Sequence, residues 1–239
     1  MLAGQTAIIT GASRGIGKAV AYKLAEQGVK LSLIGSSEEI YTVKEELVQR
    51  GYEVLAFQVD VSSEEGVQQV VTETLKAFGS IDILLNNAGI GVFKTVEETN
   101  VEEWKRLFEV NVQGVFVCAK AVVPHMKARK AGTIITISSD VGRYTIPNGA
   151  AYTATKYAVQ GFSGSLAQEM REYGVRVGTI NPGMVDTYFA GGTQGVPEKQ
   201  EWIKVDDVAS AVVYMASAPK HLIIDEIVLH PLIQNYPIA

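Results

Sequence analysis

Short apolar runs alternate with longer amphipathic segments along almost the whole chain. The apolar runs predict seven strands, at Thr6–Thr10, Lys30–Ile34, Glu53–Gln58, Ile81–Leu85, Thr133–Ser138, Val175–Asn181 and Glu226–His230. The segments between them have helical periodicity and predict helices at Ile16–Gln27, Glu38–Arg50, Glu64–Phe78, Val101–Lys127, Ala150–Tyr173 and Val205–Ala216. Such alternation requires right-handed crossovers between parallel strands. We therefore expect an α/β fold with a doubly wound parallel sheet.

The strands read as nearly continuous apolar runs, as Ile81–Leu85 does, which is typical of a sheet buried on both faces. The chain has 239 residues, 47% of them hydrophobic, enough to bury a substantial core. We find no linker, low-complexity tract or internal repeat. The sequence therefore predicts one domain, residues 1–239.

Charge and cysteine content narrow the class of protein. The formal net charge is -5 and Lys and Arg do not cluster, which argues against a nucleic-acid partner. The single cysteine, Cys118, lies in an apolar run and is predicted to be a buried structural thiol, which fits a reducing compartment. We see neither a charged secretory n-region nor an uninterrupted apolar stretch of about 20 residues. We expect a cytoplasmic protein with no membrane partner.

A glycine-rich turn joins the first strand to the first helix. Its glycines are Gly11, Gly15 and Gly17. Glycines allow a tight turn and let backbone N–H groups approach a pyrophosphate, while the helix N-terminus favours negative charge. Glycines between a strand and a helix can also serve packing alone, but their position here favours dinucleotide binding.

Five motifs follow one another along the chain: Thr10–Gly17, Asn86-Asn87-Ala88-Gly89, Ser139, Tyr152-Thr153-Ala154-Thr155-Lys156 and Pro182-Gly183. In this order they resemble the short-chain dehydrogenases/reductases, from about Gln5 to Thr187 and more loosely to the end. The glycine turn is similar to that of 3-oxoacyl-carrier-protein reductases. The resemblance implies a Rossmann sheet of seven parallel strands in a single dinucleotide-binding and catalytic domain.

The resemblance also implies a nicotinamide cofactor, and several residues favour NADP(H). Gly35 stands where NAD-preferring relatives have an acid, and Arg14 resembles the basic residue that pairs with the 2′-phosphate. Ser36 and Ser37 could donate hydrogen bonds to that phosphate. An arginine common at the place of Ser36 is missing, however, and Glu38-Glu39 follow closely. NAD(H) therefore remains possible.

Further cofactor contacts are carried over from the family's motifs. The predicted cofactor-binding residues are Gly11, Ser13, Arg14, Gly15, Ile16, Gly17, Ser36, Asp60, Val61, Asn87, Ala88, Gly89, Tyr152, Lys156, Pro182, Gly183, Val185 and Thr187. Asp60 has a second interpretation, since an acid before Ser62-Ser63 could cap the following helix.

Tyr152 and Lys156 are four residues apart in a helical pattern and so share one face. A nearby ammonium would lower the pKa of a tyrosine, which is ordinarily about 10. The resemblance implies that Tyr152 protonates a carbonyl oxygen as hydride arrives, while Lys156 tunes Tyr152 and holds the nicotinamide ribose. An exposed Tyr–Lys pair on a helix is the alternative.

Two further residues complete the predicted catalytic group. Ser139 ends the fifth strand, as in the family, where it would orient the substrate oxygen; the side chain of Ser138 should point the opposite way. Asn111 matches a helix asparagine that supports a proton relay to the lysine, or is a satisfied polar residue in a helix. The histidines have no metal-ligand spacing, so we predict no metal site.

These residues predict an NADPH-dependent oxidoreductase acting on a ketone or 3-oxoacyl substrate. The alternatives are an NADP-dependent dehydrogenase of a small 3-hydroxy acid or alcohol and a non-catalytic dinucleotide-sensing protein. Pocket positions are expected near Val92-Phe93 and Val141–Tyr144, with Tyr188–Gly195 closing over the substrate. The two long helices have more than one apolar face, which predicts a homo-oligomer, a dimer or a tetramer.

Overall fold

The computed structural model describes residues 2–235, which form seven strands and seven α-helices. The strands are β1 (Thr6–Thr10), β2 (Lys30–Gly35), β3 (Val54–Gln58), β4 (Ile83–Asn86), β5 (Gly132–Ile137), β6 (Val175–Pro182) and β7 (Glu226–Leu229). The helices are α1 (Gly15–Glu26), α2 (Glu39–Gln49), α3 (Glu64–Phe78), α4 (Val101–Phe108), α5 (Gly114–Arg129), α6 (Ala150–Met170) and α7 (Val205–Ala216). The predicted strand–helix order is confirmed, with small differences at element ends.

All seven strands are parallel and lie in the order β3-β2-β1-β4-β5-β6-β7. The chain builds one half of the sheet outward from β1 to β3 and the other from β4 to β7. The order reverses between β1 and β4, and in open α/β sheets ligands bind at the carboxyl end of such a switch point. The doubly wound Rossmann architecture is confirmed.

Each face of the sheet has its own hydrophobic core, because successive strand residues point to opposite sides. One core joins Ile9 and Leu33 to the apolar sides of α1, α2 and α7. The other joins Ile8 and Ile34 to α3, α5 and α6, and it contains the buried Cys118. Burial raises the pKa of that thiol to about 12, as expected of a structural cysteine.

The predicted helix Val101–Lys127 is not a single α-helix. A π-helical turn, Glu109–Gln113, separates α4 from α5, and the helical stretch continues to Arg129. The whole stretch of 29 residues is long and apolar enough, by length and composition, to cross a membrane, which the sequence analysis had not expected. Half of its most apolar window is buried inside the fold, however, as in the core helix of a globular protein.

Candidate active site

The glycine turn lies at the carboxyl end of β1 and leads directly into α1. Gly11 and Gly15 have φ angles of 64° and 57°, in the left-handed region that favours glycine. A Cβ on Gly17 would collide with the carbonyl oxygen of Gly11 and lie 2.6 Å from Asn87 Nδ2. The turn can therefore keep this shape only with glycine at these positions.

The motif after β4 is hydrogen-bonded to this turn. Thr10 Oγ1 accepts hydrogen bonds from the backbone N–H groups of Asn87 and Ala88, both at 2.9 Å. The Asn87 amide in turn donates to the carbonyl oxygens of Thr10, at 2.9 Å, and Gly11, at 3.1 Å. The two segments expected to flank a dinucleotide are thus joined across the switch point of the sheet.

The turn also fits a dinucleotide chemically. Ser13 Oγ is buried and has no hydrogen-bond partner within residues 2–235, so a hydroxyl is available at the N-terminus of α1. Arg14 is exposed at the start of the helix, and its guanidinium lies 5.8 Å from the centre of the Tyr188 ring. A Cβ on Gly35 would collide with Ser13 Oγ, so an acidic side chain has no room at that position.

The predicted adenine-side residues lie beyond this turn. Ser36 is exposed after β2, and Val61 is buried after β3. Asp60 Oδ1 accepts hydrogen bonds from the backbone and hydroxyl of Ser62, and Oδ2 pairs with Arg106 at 2.6 Å. Partial burial acts to raise the pKa of Asp60, but these hydrogen bonds and the Arg106 charge hold it below the usual value. Ser63, not Asp60, caps α3.

The remaining predicted cofactor residues follow β6. Pro182 ends the strand, Gly183 donates its N–H to Leu229 O at 2.8 Å, and Val185 bridges to Ile203. Thr187 is buried, and its methyl carbon lies 3.8 Å from the position of a Cβ on Gly15. The segment after β6 therefore returns to the glycine turn.

Ser139, Tyr152 and Lys156 meet in the interior, next to the carboxyl end of β5. Lys156 Nζ donates to Ile137 O at 3.1 Å and lies 5.5 Å from the centre of the Tyr152 ring. The Ser139 side chain approaches the Tyr152 hydroxyl closely enough to act on its pKa. Ser138 Oγ instead donates to Lys156 O at 3.4 Å, so the two adjacent serines point in different directions, as expected. The alternative of an exposed Tyr–Lys pair is wrong.

Burial shifts the pKa of both central groups. Burial raises the pKa of the Tyr152 hydroxyl above its usual value; the nearby Ser139 side chain opposes this, and the Asp140 charge adds to it. Burial also lowers the pKa of Lys156 to about 8. The sequence predicts that the lysine lowers the pKa of the tyrosine; in the folded chain, desolvation is the larger effect and raises it.

Asn111 lies inside the π-helical turn, and its side chain is fully engaged. Its Oδ1 accepts from Ile90 N at 2.9 Å, and its Nδ2 donates to Ile90 O at 2.9 Å and to Thr155 Oγ1 at 3.1 Å. It thus ties the loop after β4 to α6, one residue from Lys156. This contact does not include a direct hydrogen bond to Lys156 Nζ.

Sequence reasoning missed a buried carboxylate beside Ser139. Asp140 Oδ1 accepts from Ser139 Oγ at 3.0 Å, and Oδ2 accepts from Gln234 Nε2 at 2.6 Å and from the Tyr144 hydroxyl. His230 Nε2 lies 3.4 Å from the same oxygen. An acid directly after a strand-ending serine was the available signal for Asp140. Nothing local marks Gln234, which is 94 residues away.

Phe93 and Phe189 cover the ring of Tyr152. Their ring centres lie 5.3 Å and 5.5 Å from that of Tyr152, and 6.4 Å from each other. Phe93 belongs to the loop after β4, and Phe189 belongs to the short 3-10 turn Phe189–Gly191. Arg143, within the predicted pocket segment Val141–Tyr144, forms an ion pair with Glu226.

A glycine turn at a helix N-terminus and a buried serine–tyrosine–lysine group occupy one edge of a parallel sheet. Together they define the class of nicotinamide-dependent enzymes that act on CH–OH or C=O groups. Comparison with known proteins agrees: the family described as short chain dehydrogenase matches residues 5–195. The chain belongs to this family.

Individual relatives are similar over nearly their whole length. An uncharacterized oxidoreductase of Staphylococcus saprophyticus is 35% identical over 230 residues, covering 95% of this chain and 97% of the relative. The structure of an alcohol dehydrogenase from the archaeon Thermococcus sibiricus, complexed with 5-hydroxy-NADP, is 36% identical with a TM-score of 0.92, covering 98% of this chain and 99% of that one. A metagenomic short-chain oxidoreductase in complex with NADP is 34% identical with a TM-score of 0.85, covering the same shares.

Proposed function

We propose that this chain is an NADPH-dependent reductase of carbonyl compounds, with Ser139, Tyr152 and Lys156 as its catalytic residues. The observation that carries the proposal is their burial together near the carboxyl end of β5, next to the Asn86–Gly89 segment, which is hydrogen-bonded to the glycine turn. A surface Tyr–Lys pair would be solvated, and water would compete for any substrate oxygen. Burial instead lets fixed hydrogen-bond donors act in a medium of low polarity.

Binding of NADP(H) is assigned to the turn and its neighbours. The N-terminus of α1 and Ser13 would hold the diphosphate, while Arg14 and Ser36 would hold the 2′-phosphate. Gly35 leaves no acid to repel that phosphate. The similar archaeal and metagenomic structures contain 5-hydroxy-NADP and NADP, respectively, which supports this preference. When bound, the cofactor supplies the hydride.

The protein side chains would control the proton. Tyr152 keeps its proton at neutral pH because burial raises the pKa of its hydroxyl, and it can therefore donate that proton to a carbonyl oxygen. Ser139 would orient the same oxygen and stabilise its developing charge. Lys156, held by Ile137 O, would bind the nicotinamide ribose and return a proton to Tyr152. Asn111 would hold the loop after β4 against α6.

The reverse reaction, oxidation of a small 3-hydroxy acid or alcohol, uses the same residues with Tyr152 as base. For that role the pKa of Tyr152, which burial raises, would have to be lowered by the positive charges of Lys156 and the oxidised nicotinamide ring. The retained serine–tyrosine–lysine group supports an enzyme over a dinucleotide sensor.

The test is consumption of NADPH and NADH with ketones, diketones, 3-oxo acids and 3-oxoacyl thioesters. We expect faster turnover with NADPH at equal concentration, and a loss of at least a hundredfold in kcat for Tyr152→Phe, consistent with removal of a general acid. Binding of NADPH, measured by fluorescence, should remain in that variant. Full activity of Tyr152→Phe would refute the catalytic assignment, and faster turnover with NADH would refute the cofactor preference.

A further inference from the structure

We infer that the site prefers a neutral ketone that carries an apolar ring. Substrates that carry a carboxylate, or a thioester to a phosphate-bearing carrier, are disfavoured. This inference rests on the proposed function, because it concerns the substrate whose carbonyl Tyr152 would protonate. It is carried by the side chains around the Tyr152 ring and by the partners of the neighbouring cations.

Two adjacent aromatic side chains form walls beside the proton donor, and their rings are in edge contact with each other. Phe93 and Phe189 are 47% and 39% exposed, although both contact the buried ring of Tyr152. Large apolar side chains that cluster in the open beside reactive groups mark a binding surface. Both rings are tilted relative to Tyr152, an arrangement in which a flat guest ring can make offset or edge contacts.

The position of Phe189 depends on a glycine in the opposite loop. A Cβ on Gly91 would lie 2.5 Å from Phe189 Cε1 and 2.7 Å from Cζ. Any other residue at this position would push Phe189 away from Phe93 and Tyr152. The aromatic walls are therefore a packed feature of the two loops.

The base of the site is also apolar. Tyr152 packs in a small hydrophobic cluster with Ala151 and Leu107, and Val92 and Ile146 pack against that cluster. Val92 is one of the positions expected from the sequence to line the pocket. The half-buried Val92 and Ile146 give a guest ring apolar surface, which favours hydrocarbon over charged groups.

Cations next to the walls already have partners. Lys94, adjacent to Phe93, pairs with Glu103 at 2.5 Å, and Arg143 pairs with Glu226. Lys199 donates to the carbonyl oxygen of Thr187 at 2.8 Å. A substrate carboxylate would have to compete with these partners or remain unpaired in an apolar site, and an unpaired carboxylate there is costly.

Two further charged groups near the site affect the binding of a substrate anion. Asp140 is a buried acid on the side of Ser139 and would repel a substrate carboxylate. Arg14, over the Tyr188 ring, is assigned to the cofactor phosphate. Both add to the preference for a neutral substrate.

The experiment compares matched ketones with NADPH: acetophenone, its para-carboxylate 4-acetylbenzoate, butanone, acetoacetate and acetoacetyl-coenzyme A. We expect kcat/KM for acetophenone to exceed those for 4-acetylbenzoate and acetoacetyl-coenzyme A at least tenfold. Phe93→Ala and Phe189→Ala should each lower the acetophenone-to-butanone ratio of kcat/KM at least fivefold. This ratio cancels any general damage to Tyr152. The control Tyr214→Ala, which changes an exposed aromatic on α7, should leave the ratio unchanged.

Three results would count against the inference. Preference for 4-acetylbenzoate, acetoacetate or the thioester, with turnover that Tyr152→Phe abolishes, would overturn the substrate class and leave the proposed reductase intact. An unchanged acetophenone-to-butanone ratio in both phenylalanine variants would overturn the role of the aromatic walls. Absence of Tyr152-dependent turnover with every ketone would overturn both the reductase and its substrate class.

Discussion

At the scale of single residues, the burial of Lys156 in the candidate active site lowers the stability of the folded protein. Its ammonium is buried in the core of the domain and has one carbonyl partner, Ile137 O. Burial lowers the pKa of Lys156 from 10.5 to about 8, so the charged form is disfavoured in the folded protein. The unfolded chain, with the higher pKa, binds the proton more strongly, and this difference opposes folding at neutral pH.

Replacing Lys156 by methionine should therefore stabilise the protein without cofactor while abolishing turnover. We expect the free energy of unfolding at pH 7 to rise by about 2 kcal/mol, since each pKa unit corresponds to roughly 1.4 kcal/mol and one hydrogen bond is lost. The difference in unfolding free energy between the variant and the wild type should narrow as the pH rises from about 8 to 10.5, because the wild type gains stability over that range. Urea unfolding of both proteins at pH 7 and pH 10, without nucleotide, measures it. A stability difference that is equal at both pH values would contradict a pKa of Lys156 lowered by burial.

At the scale of elements, the connection from β1 to α1 is built by close approach of backbone atoms. The carbonyl oxygen of Gly11 and the amide of Asn87 occupy the space where a side chain at position 17 would start. This arrangement links two strands on either side of the switch point and leaves the N-terminus of α1 open. The glycine spacing predicted such a turn, because few other functions need three glycines between a strand and a helix.

Gly17→Ala tests this connection. The new methyl group must displace backbone atoms, so we expect a loss of about 2–3 kcal/mol in unfolding free energy and at least a tenfold weaker affinity for NADPH. Gly51→Ala is the matched control. Gly51 has a φ of 88° but nothing within 4 Å of an added Cβ, so only strain of about 1 kcal/mol is expected, with unchanged affinity. Equal NADPH affinity in both variants would argue against the turn as the phosphate site.

The helix that carries Asn111 is the element least well predicted. Hydrophobic periodicity indicated one helix over Val101–Lys127, whereas the structure has a π-helical turn at Glu109–Gln113. Such turns depend on a local rearrangement of hydrogen bonds and often occur at functional sites. Here the Asn111 side chain reaches Ile90 and Thr155, contacts that no periodicity could reveal.

At the scale of the whole molecule, α5 and α6 each carry an exposed aromatic side chain, Phe116 and Tyr157. Phe116 on α5 is 48% exposed and stacks edge-on against Phe162 of α6, with ring centres 6.2 Å apart. Tyr157 on α6 and Trp104 on α4 are also exposed. A surface of this kind is costly in water, and it supports the expectation that copies of the chain associate through these helices.

Phe116→Glu should therefore dissociate the assembly. A carboxylate buried between two copies would be unpaired, so we expect a decrease in mass to the monomer value of 25.8 kDa in light scattering or sedimentation. Val48→Glu, which changes an equally exposed position on α2, should leave the mass of the wild type unchanged. A wild-type mass equal to one chain, or an unchanged mass in Phe116→Glu, would contradict association through this face.

The amino-acid sequence by itself determined the order of strands and helices, the position of the glycine turn and the four-residue spacing of Tyr152 and Lys156. These features follow from local periodicity and backbone conformation, which neighbouring residues control. Only the tertiary structure decided that burial, and not the Lys156 ammonium, sets the direction in which the pKa of Tyr152 shifts. It also brought Gln234 to Asp140 and placed Phe93 and Phe189 on one ring. Desolvation and ring packing depend on groups far apart along the chain, and only the folded core brings them together.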